Sequence, residues 1–181
     1  MDLNSNQAGP YAGNGYEGLH DGPLDSCRLA QPFGLATDGS HLFVADAESS
    51  AVRAVPLDHR RPVTTVVGQG LFQFGDRDGA GADVKLQHPS GLAFHQGQLF
   101  LTDTYNHRIK KIDPAERSVL SIAGQGRPGS ADGTEASFWE PGGLAVLGQE
   151  IYVADAGNHS IRKLYYQDGQ VLTITVPISF T

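Results

Sequence analysis

Short apolar stretches alternate with turn residues along the chain, and apolar residues do not recur at helical spacing over any long stretch. In the middle of the chain, Leu99, Leu101, Ile109 and Ile112 fall at or near every second position, which is the period of a half-buried strand. Asn106 tolerates positive φ and is expected in the turn between two of these stretches. The pattern predicts four strands: Ser90–His95, Gln98–Asp103, Arg108–Asp113 and Ser118–Ala123.

The same pattern occurs three times in the sequence. Each copy opens with Pro-x-Gly-Leu-Ala, at Pro32, Pro89 and Pro141, so that successive copies are offset by 57 and 52 residues. An Asp follows each Pro by fourteen residues and a basic residue follows each Asp by seven. The repeated residues are Asp46, Asp103 and Asp155, then Arg53, Lys110 and Arg162, with an Asp-Gly pair before each Pro at Asp21, Asp78 and Asp132. Four short strands in a unit of about 50 residues are typical of one blade of a β-propeller.

Composition agrees with a turn-rich β protein, because the 181 residues include 23 Gly and 10 Pro, and only 18% are charged. The net charge of −7 argues against nucleic acid as a partner. No apolar run is long enough to span a membrane, so we expect no membrane contact. The single cysteine, Cys27, is expected to be a small core residue. Together with the absence of signal-peptide features at the N-terminus, it indicates a cytoplasmic location.

Two of the three copies carry a longer motif that resembles a known repeat. Asp103-Thr-Tyr-Asn-His-Arg-Ile-Lys and Asp155-Ala-Gly-Asn-His-Ser-Ile-Arg resemble the NHL repeat, whereas the first copy has Ser49-Ser50 where Asn-His is expected. With the segment that begins at Leu71, the first copy resembles the subfamily of NHL-repeat-containing protein 2 and its bacterial relatives. That resemblance implies a six-bladed propeller that follows a thioredoxin-like domain. The chain has no Cys-x-x-Cys, so it lacks the redox motif of such a domain.

We therefore expect an all-β fold, a partial β-propeller of NHL repeats with three four-stranded blades of a six-bladed ring. Residues 1–9 are expected to be a polar tail, and residues 10–181 the propeller. The predicted blades are 32–67, 89–123 and 141–175, with the outer strand of a preceding blade at 10–13. A full ring would need roughly 330 residues. The chain is thus expected to be a fragment of a larger protein, or a half-ring that self-associates through its open edges.

The residues present in every unit are expected to be structural. Asp46, Asp103 and Asp155 should accept hydrogen bonds from the next turn, with a metal or acid–base set as the alternative. Arg53, Lys110 and Arg162 should pair with these carboxylates, with a basic binding ring as the alternative. The segment from Asp76 to Asp83 faintly resembles a calcium loop but lacks the glutamate that closes one. We expect no metal site and no cofactor.

Aromatic residues outside the repeat pattern are better candidates for binding, because the fold does not require them in every blade. Loops on a rigid scaffold are the usual place for binding residues. We expect a ligand or partner site formed by Phe72, Phe74, Tyr105, His107, Trp139 and His159. Two alternatives remain open: Phe72 and Phe74 could anchor their loop to the propeller, and the two histidines could be structural.

The sequence contains no recognisable catalytic set, since Gly-x-Ser-x-Gly is absent and no nucleophile has a positioned base. It therefore predicts a non-catalytic module that binds a protein or peptide. The binding surface is expected on the face that carries the turns between second and third strands and the passages to the next blade. The alternative is a metal-dependent propeller enzyme of the lyase or lactonase type, with a site at the central axis.

Overall fold

The structure, a computed structural model, describes residues 9–174. Residues 1–8 of the predicted tail and residue 175 of the third predicted blade lie outside the described residues. The first sheet contains β1 (Pro32–Thr37), β2 (His41–Asp46), β3 (Ala51–Pro56) and β4 (Thr64–Val67). The second contains β5 (Gly79–Ala80), β6 (Pro89–His95), β7 (Gln98–Asp103), β8 (Arg108–Asp113) and β9 (Ser118–Ala123). The third contains β10 (Pro141–Leu147), β11 (Glu150–Asp155), β12 (Ser160–Tyr165) and β13 (Gln170–Thr173).

Every pairing within these three sheets is antiparallel, which confirms the predicted all-β fold of repeated blades. The four strands expected in the middle unit are present, and only β6 begins one residue earlier than expected. The middle sheet also has a fifth strand, because Gly79–Ala80 pairs with Val119 and Ser118 at its outer edge. Gly22 and Gly133 make single bridges to Val63 and Val171 at matching places.

The fourteen-residue spacing from Pro to Asp has a simple structural basis. Pro32 pairs with Asp46, Pro89 with Asp103 and Pro141 with Asp155 across the first hairpin of each blade. A shift in register follows the proline in each case. Proline has no N–H, so the start of an inner strand is a position where it is tolerated.

The turn between the second and third strands differs from the expectation for Asn106. The turn at Thr104–Asn106 is a short 3-10 helix, and the left-handed residue is His107, with φ of 53°. Ser50 and His159 have the same conformation at the matching positions, with φ of 49° and 53°. The side chain of Asn106 instead donates hydrogen bonds to Asp103 and to the carbonyl of Gly75.

The core lies between neighbouring blades, where each sheet places alternate side chains against the next sheet. Phe43 and Val52 of the first blade pack with Leu99 and Leu101 of the second. Phe100 and Ile109 of the second pack in turn with Ile151, Val153 and Phe138 of the third unit. Because each contact joins one blade to its neighbour, stability is distributed along the array.

The segment before β1 covers the outer face of the first blade. Leu24 and the fully buried Cys27 pack there against Val44 and Val55. Residues 10–13, expected to be the outer strand of a preceding blade, form no strand in the structure. A strand there would need neighbours to bond its amides, and the described residues contain no further strand of such a blade. Across residues 9–174, no helix has the length and apolarity required to cross a membrane.

Candidate functional site

One end of the array collects the loops that could form a binding surface. Within a blade, the second and fourth strands run in the same direction, so both end at the same side of the sheet. The turns after β2, β7 and β11 therefore lie on the same face as the linkers 68–88 and 124–140 that lead to the next blade. We call this side the loop face.

Each repeated aspartate joins its blade to the linker before it. The Oδ1 atoms of Asp46, Asp103 and Asp155 accept hydrogen bonds of 2.7–2.8 Å from the amides of Ala30, Gln87 and Trp139. Their Oδ2 atoms accept from a side chain three residues later, at 2.6–2.8 Å, which is Ser49, Asn106 or Asn158. All three carboxylates are fully buried, so the arrangement leaves them no access to a ligand.

Each repeated basic residue lies between an inner and an outer carboxylate. Arg162 contacts Asp155 at 2.8 Å and Asp132 at 2.7 Å. Arg53 lies in the same way between Asp46, at 3.3 Å, and Asp21, at 2.8 Å. The cations are buried as well as paired, so they do not form a basic ring for a ligand. This role of the Asp-Gly pairs was not predicted, although the sequence shows an acid repeated in step with a base.

The middle blade has a lysine at this position and a second outer acid. Lys110 Nζ lies 3.5 Å from Asp103, 3.0 Å from Asp78 and 2.7 Å from Asp76. The acids of the segment that resembled a calcium loop therefore face an ammonium group. Within residues 9–174, no group of three or more acidic, histidine or cysteine side chains is arranged to hold a metal ion.

Two of the three carboxylates around Lys110, those of Asp103 and Asp78, differ in proton affinity. Burial raises the pKa of Asp103 to about 6, although the nearby Lys110 ammonium and hydrogen bonds oppose this rise. Burial also works against ionisation of Asp78, but the bonds from Ser121 and Lys110 outweigh it and lower the pKa of Asp78.

We expect Asp103 to titrate with a midpoint near 6 and Asp78 to titrate below its ordinary range. Because the pKa of Asp103 is raised in the folded chain, its contribution to stability is full below about pH 4 and is lost as pH rises to about 6. Carbon-detected NMR of the aspartate carboxyls measures both midpoints. Lys110→Met removes the opposing ammonium and should raise the Asp103 midpoint further. An Asp103 midpoint at or below about 4 would contradict this prediction.

The four aromatic candidates are all accessible on the protein surface. Phe72 is 81% exposed, Phe74 54%, Tyr105 49% and Trp139 46%. The interpretation of Phe72 and Phe74 as anchors of their linker is wrong, because Val84 and Leu86 of the same linker fill the core instead. Trp139 lies against Gly157, where a Cβ atom would overlap the indole ring.

The two histidine candidates have different surroundings. His107 Nδ1 accepts a hydrogen bond of 3.0 Å from the amide of Glu140, so this imidazole joins the second blade to the start of the third. Its proton is therefore on Nε2 when the ring is neutral. His159 is exposed at the matching position of the third blade.

A cleft opens on the loop face where the first and second blades meet. The rings of His88 and Tyr105 stack there, with centroids 4.6 Å apart and planes at 10°. The carboxylate of Glu48 lies 3.8 Å from His88 Nδ1. The cleft has a volume of about 160 Å³ and is lined by Ala47, Glu48, Ser50, Phe74, Gln87, His88 and Tyr105. It therefore brings together two predicted residues, Phe74 and Tyr105, with His88 and Glu48, which sequence reasoning did not select.

The outward face of the third blade is open in the described structure. Ile161 is 48% exposed, whereas Val52 and Ile109, at the matching positions, are fully buried against the next blade. Self-association through this face stays a prediction.

The repeated four-stranded sheets, joined side by side through their cores, define a β-propeller module. The chain belongs to the NHL-repeat proteins: the NHL repeat family matches residues 86–112 and 138–164. It is 40% identical over 179 residues to Protein SUPPRESSOR OF QUENCHING 1, chloroplastic, of Arabidopsis thaliana. The matched region covers 91% of this chain and 17% of that protein. It is 42% identical over 163 residues to NHL repeat-containing protein 2 of Bos taurus, covering 82% of this chain and 22% of that protein.

The chain thus spans about a fifth of the length of these relatives. Among solved structures, it is similar to an auxiliary nutrient binding protein from Bacteroides ovatus, with a TM-score of 0.62 and 16% identity, over 81% of this chain and 36% of that one. It is also similar to virginiamycin B lyase from Staphylococcus aureus, with a TM-score of 0.58 and 11% identity, over 83% and 43% of the two chains. At this level of identity, these likenesses show the propeller fold alone.

Proposed function

We propose that this NHL-repeat module binds a protein or peptide partner through its loop face and is not itself catalytic. The observation that carries the proposal is the exposure of Phe74 and Tyr105 at a cleft on that face, with Phe72 exposed in the same linker as Phe74. Exposed aromatic side chains supply large contact areas at little entropic cost, and they dominate many protein interfaces.

The repeated charged residues support the same proposal by elimination. Asp103 and Asp155 are buried and bonded to backbone amides, and Lys110 and Arg162 are buried between acids. These groups stabilise the blades and hold the loops in place. The loop face therefore combines a rigid support with side chains that are free to contact a partner.

Selection of a random phage-displayed peptide library on the immobilised chain should enrich peptides that bind this face. We expect Tyr105→Ala and Phe74→Ala each to weaken their binding by about tenfold or more, because each removes an aromatic contact at the cleft. Fluorescence anisotropy with the enriched peptides measures the change.

The matched control is Leu57→Ala, which removes a partly exposed apolar side chain after β3, at the opposite end of the blade. It should leave binding unchanged. A library that enriches no peptide, or an equal loss in the control variant, would overturn the proposal.

A further inference from the structure

The two junctions between blades differ at one repeated position on the loop face. At the second junction, His107 accepts a hydrogen bond from the amide of Glu140, the residue before the opening proline. The matching residues at the first junction are Ser50 and His88. A serine side chain is much shorter than an imidazole. Within the described part of the chain, the amide of His88 donates no hydrogen bond to a protein acceptor.

The cleft therefore lies where the repeat histidine is missing. Ser50 lines it in the same left-handed conformation as His107 and His159, so the backbone follows the repeat and only the side chain is smaller. His88 lines the cleft, and the match with Glu140 directs its amide toward the place of the missing imidazole, where it can act as a hydrogen-bond donor. An unpaired backbone donor at such a site favours a ligand that brings an acceptor, such as a peptide carbonyl.

The walls of the cleft favour a cation. The stacked rings of His88 and Tyr105 form one side, and Phe74 adds a further aromatic ring. Glu48 is partly exposed there, and no Lys or Arg of the described residues forms an ion pair with it. A carboxylate beside aromatic rings suits a guanidinium group, which stacks on rings and bonds carboxylates through two N–H groups. The net charge of −7 adds a favourable long-range field.

We infer that the cleft between the first two blades is a pocket for an arginine side chain of the partner, bound at Glu48 and the His88–Tyr105 stack. The inference rests on the proposed function and adds the chemistry of the residue that is recognised. In it, Glu48 pairs with the guanidinium group, and the amide of His88 donates to a backbone carbonyl of the same peptide.

The direct test titrates the chain with Nα-acetyl-arginine N-methylamide and follows the backbone amides of Glu48, His88 and Tyr105 by proton–nitrogen NMR. We expect saturable shifts confined to the cleft. The citrulline compound has the same shape without the charge, and it should bind about tenfold more weakly. Glu48→Gln should weaken arginine binding to a similar extent, whereas Glu116→Gln, an equal charge change at an exposed turn, should not.

The decisive variant is Ser50→His, which restores the residue found at the other two positions. Its imidazole should fill the cleft and accept from the amide of His88, so arginine binding should be lost while the thermal unfolding midpoint is kept or raised. Equal binding of the arginine and citrulline compounds, or unchanged binding by the Ser50→His chain, would overturn the inference.

The outcomes separate this inference from the proposed function. If library-selected peptides lose affinity with Tyr105→Ala but bind the Ser50→His chain unchanged, the loop face is a binding surface and the arginine pocket is wrong. If the selected peptides contain a common arginine and lose binding to both the Tyr105→Ala and the Ser50→His chains, the proposed function and the arginine pocket are both supported. If the library enriches nothing while the arginine compound still binds in the cleft, only the wider proposal falls.

Discussion

Replacing Asp155 with alanine is expected to lower the free energy of unfolding by about 3–5 kcal/mol. This carboxylate is fully buried and accepts hydrogen bonds from Trp139, Asn158 and Arg162. Its loss leaves the amide of Trp139 without its acceptor. It also removes the one fully buried counter-charge of the Arg162 guanidinium, which keeps the outer carboxylate and two backbone carbonyls as acceptors. Both consequences are unfavourable, because unpaired buried polar groups lose their hydration without compensation. Urea unfolding followed by far-ultraviolet circular dichroism measures the change.

The outer carboxylate of the same guanidinium supplies the matched control. Asp132 contacts Arg162 at 2.7 Å, but its side chain is 44% exposed, so water screens the pair. We expect Asp132→Ala to lower the free energy of unfolding by only about 1 kcal/mol. If the two variants lose the same stability, or if Asp155→Ala loses less than the control, the assignment of Asp155 as the central acceptor is wrong.

Much of the fold was predictable because each repeated residue has a role in one hairpin. The spacing between Pro89 and Asp103 is the length of a hairpin whose ends pair, and the alternation of Leu99 and Leu101 marks the face that enters the core. Such information is local, so a single sequence contains it. Asp132 and Arg162 were equally visible as a repeated acid and a repeated base, but the sequence does not show that their two segments meet, so their pairing was not predicted.

The candidate site was harder to predict because it depends on contacts between blades. Glu48 and His88 lie forty positions apart in the sequence, and only the packing of two sheets brings them to one cleft. In the linker 68–88, the sequence shows Phe72, Phe74 and Leu86 simply as apolar. The structure exposes the two aromatic rings and buries Leu86, because the linker meets the core only near its end. The departure at Ser50 was visible in the repeat, but its consequence depends on the neighbour of the missing imidazole.

Replacing Gly91 with alanine is expected to lower the free energy of unfolding by about 2–3 kcal/mol. The inner strands of neighbouring blades meet backbone to backbone at this point. A Cβ atom on Gly91 would overlap the carbonyl oxygen of Gly142 and lie 2.8 Å from Thr102 Oγ1. That hydroxyl joins the two strands, since it donates to the carbonyl of Gly142 and accepts from the amide of Gly91, both at 2.6 Å. The methyl group must therefore separate the blades or break these bonds.

Gly143 occupies the matching position of the third blade and is the natural control. Apart from Gly143 and its two chain neighbours, no described residue has an atom within 4 Å of a Cβ atom built there, so Gly143→Ala should change the free energy of unfolding by less than about 0.5 kcal/mol. Gly34→Ala should behave like Gly91→Ala, because its Cβ atom would overlap the carbonyl oxygen of Ser90. The three variants change the same residue of the same repeat, so secondary-structure propensity is matched. Gly34 and Gly91 face a following blade and Gly143 does not, whereas the Thr102 hydroxyl adds a contact at Gly91 alone. A loss at Gly143 as large as that at Gly91 would contradict the open face of β10. Small losses at all three would show that the blades do not meet along their inner strands.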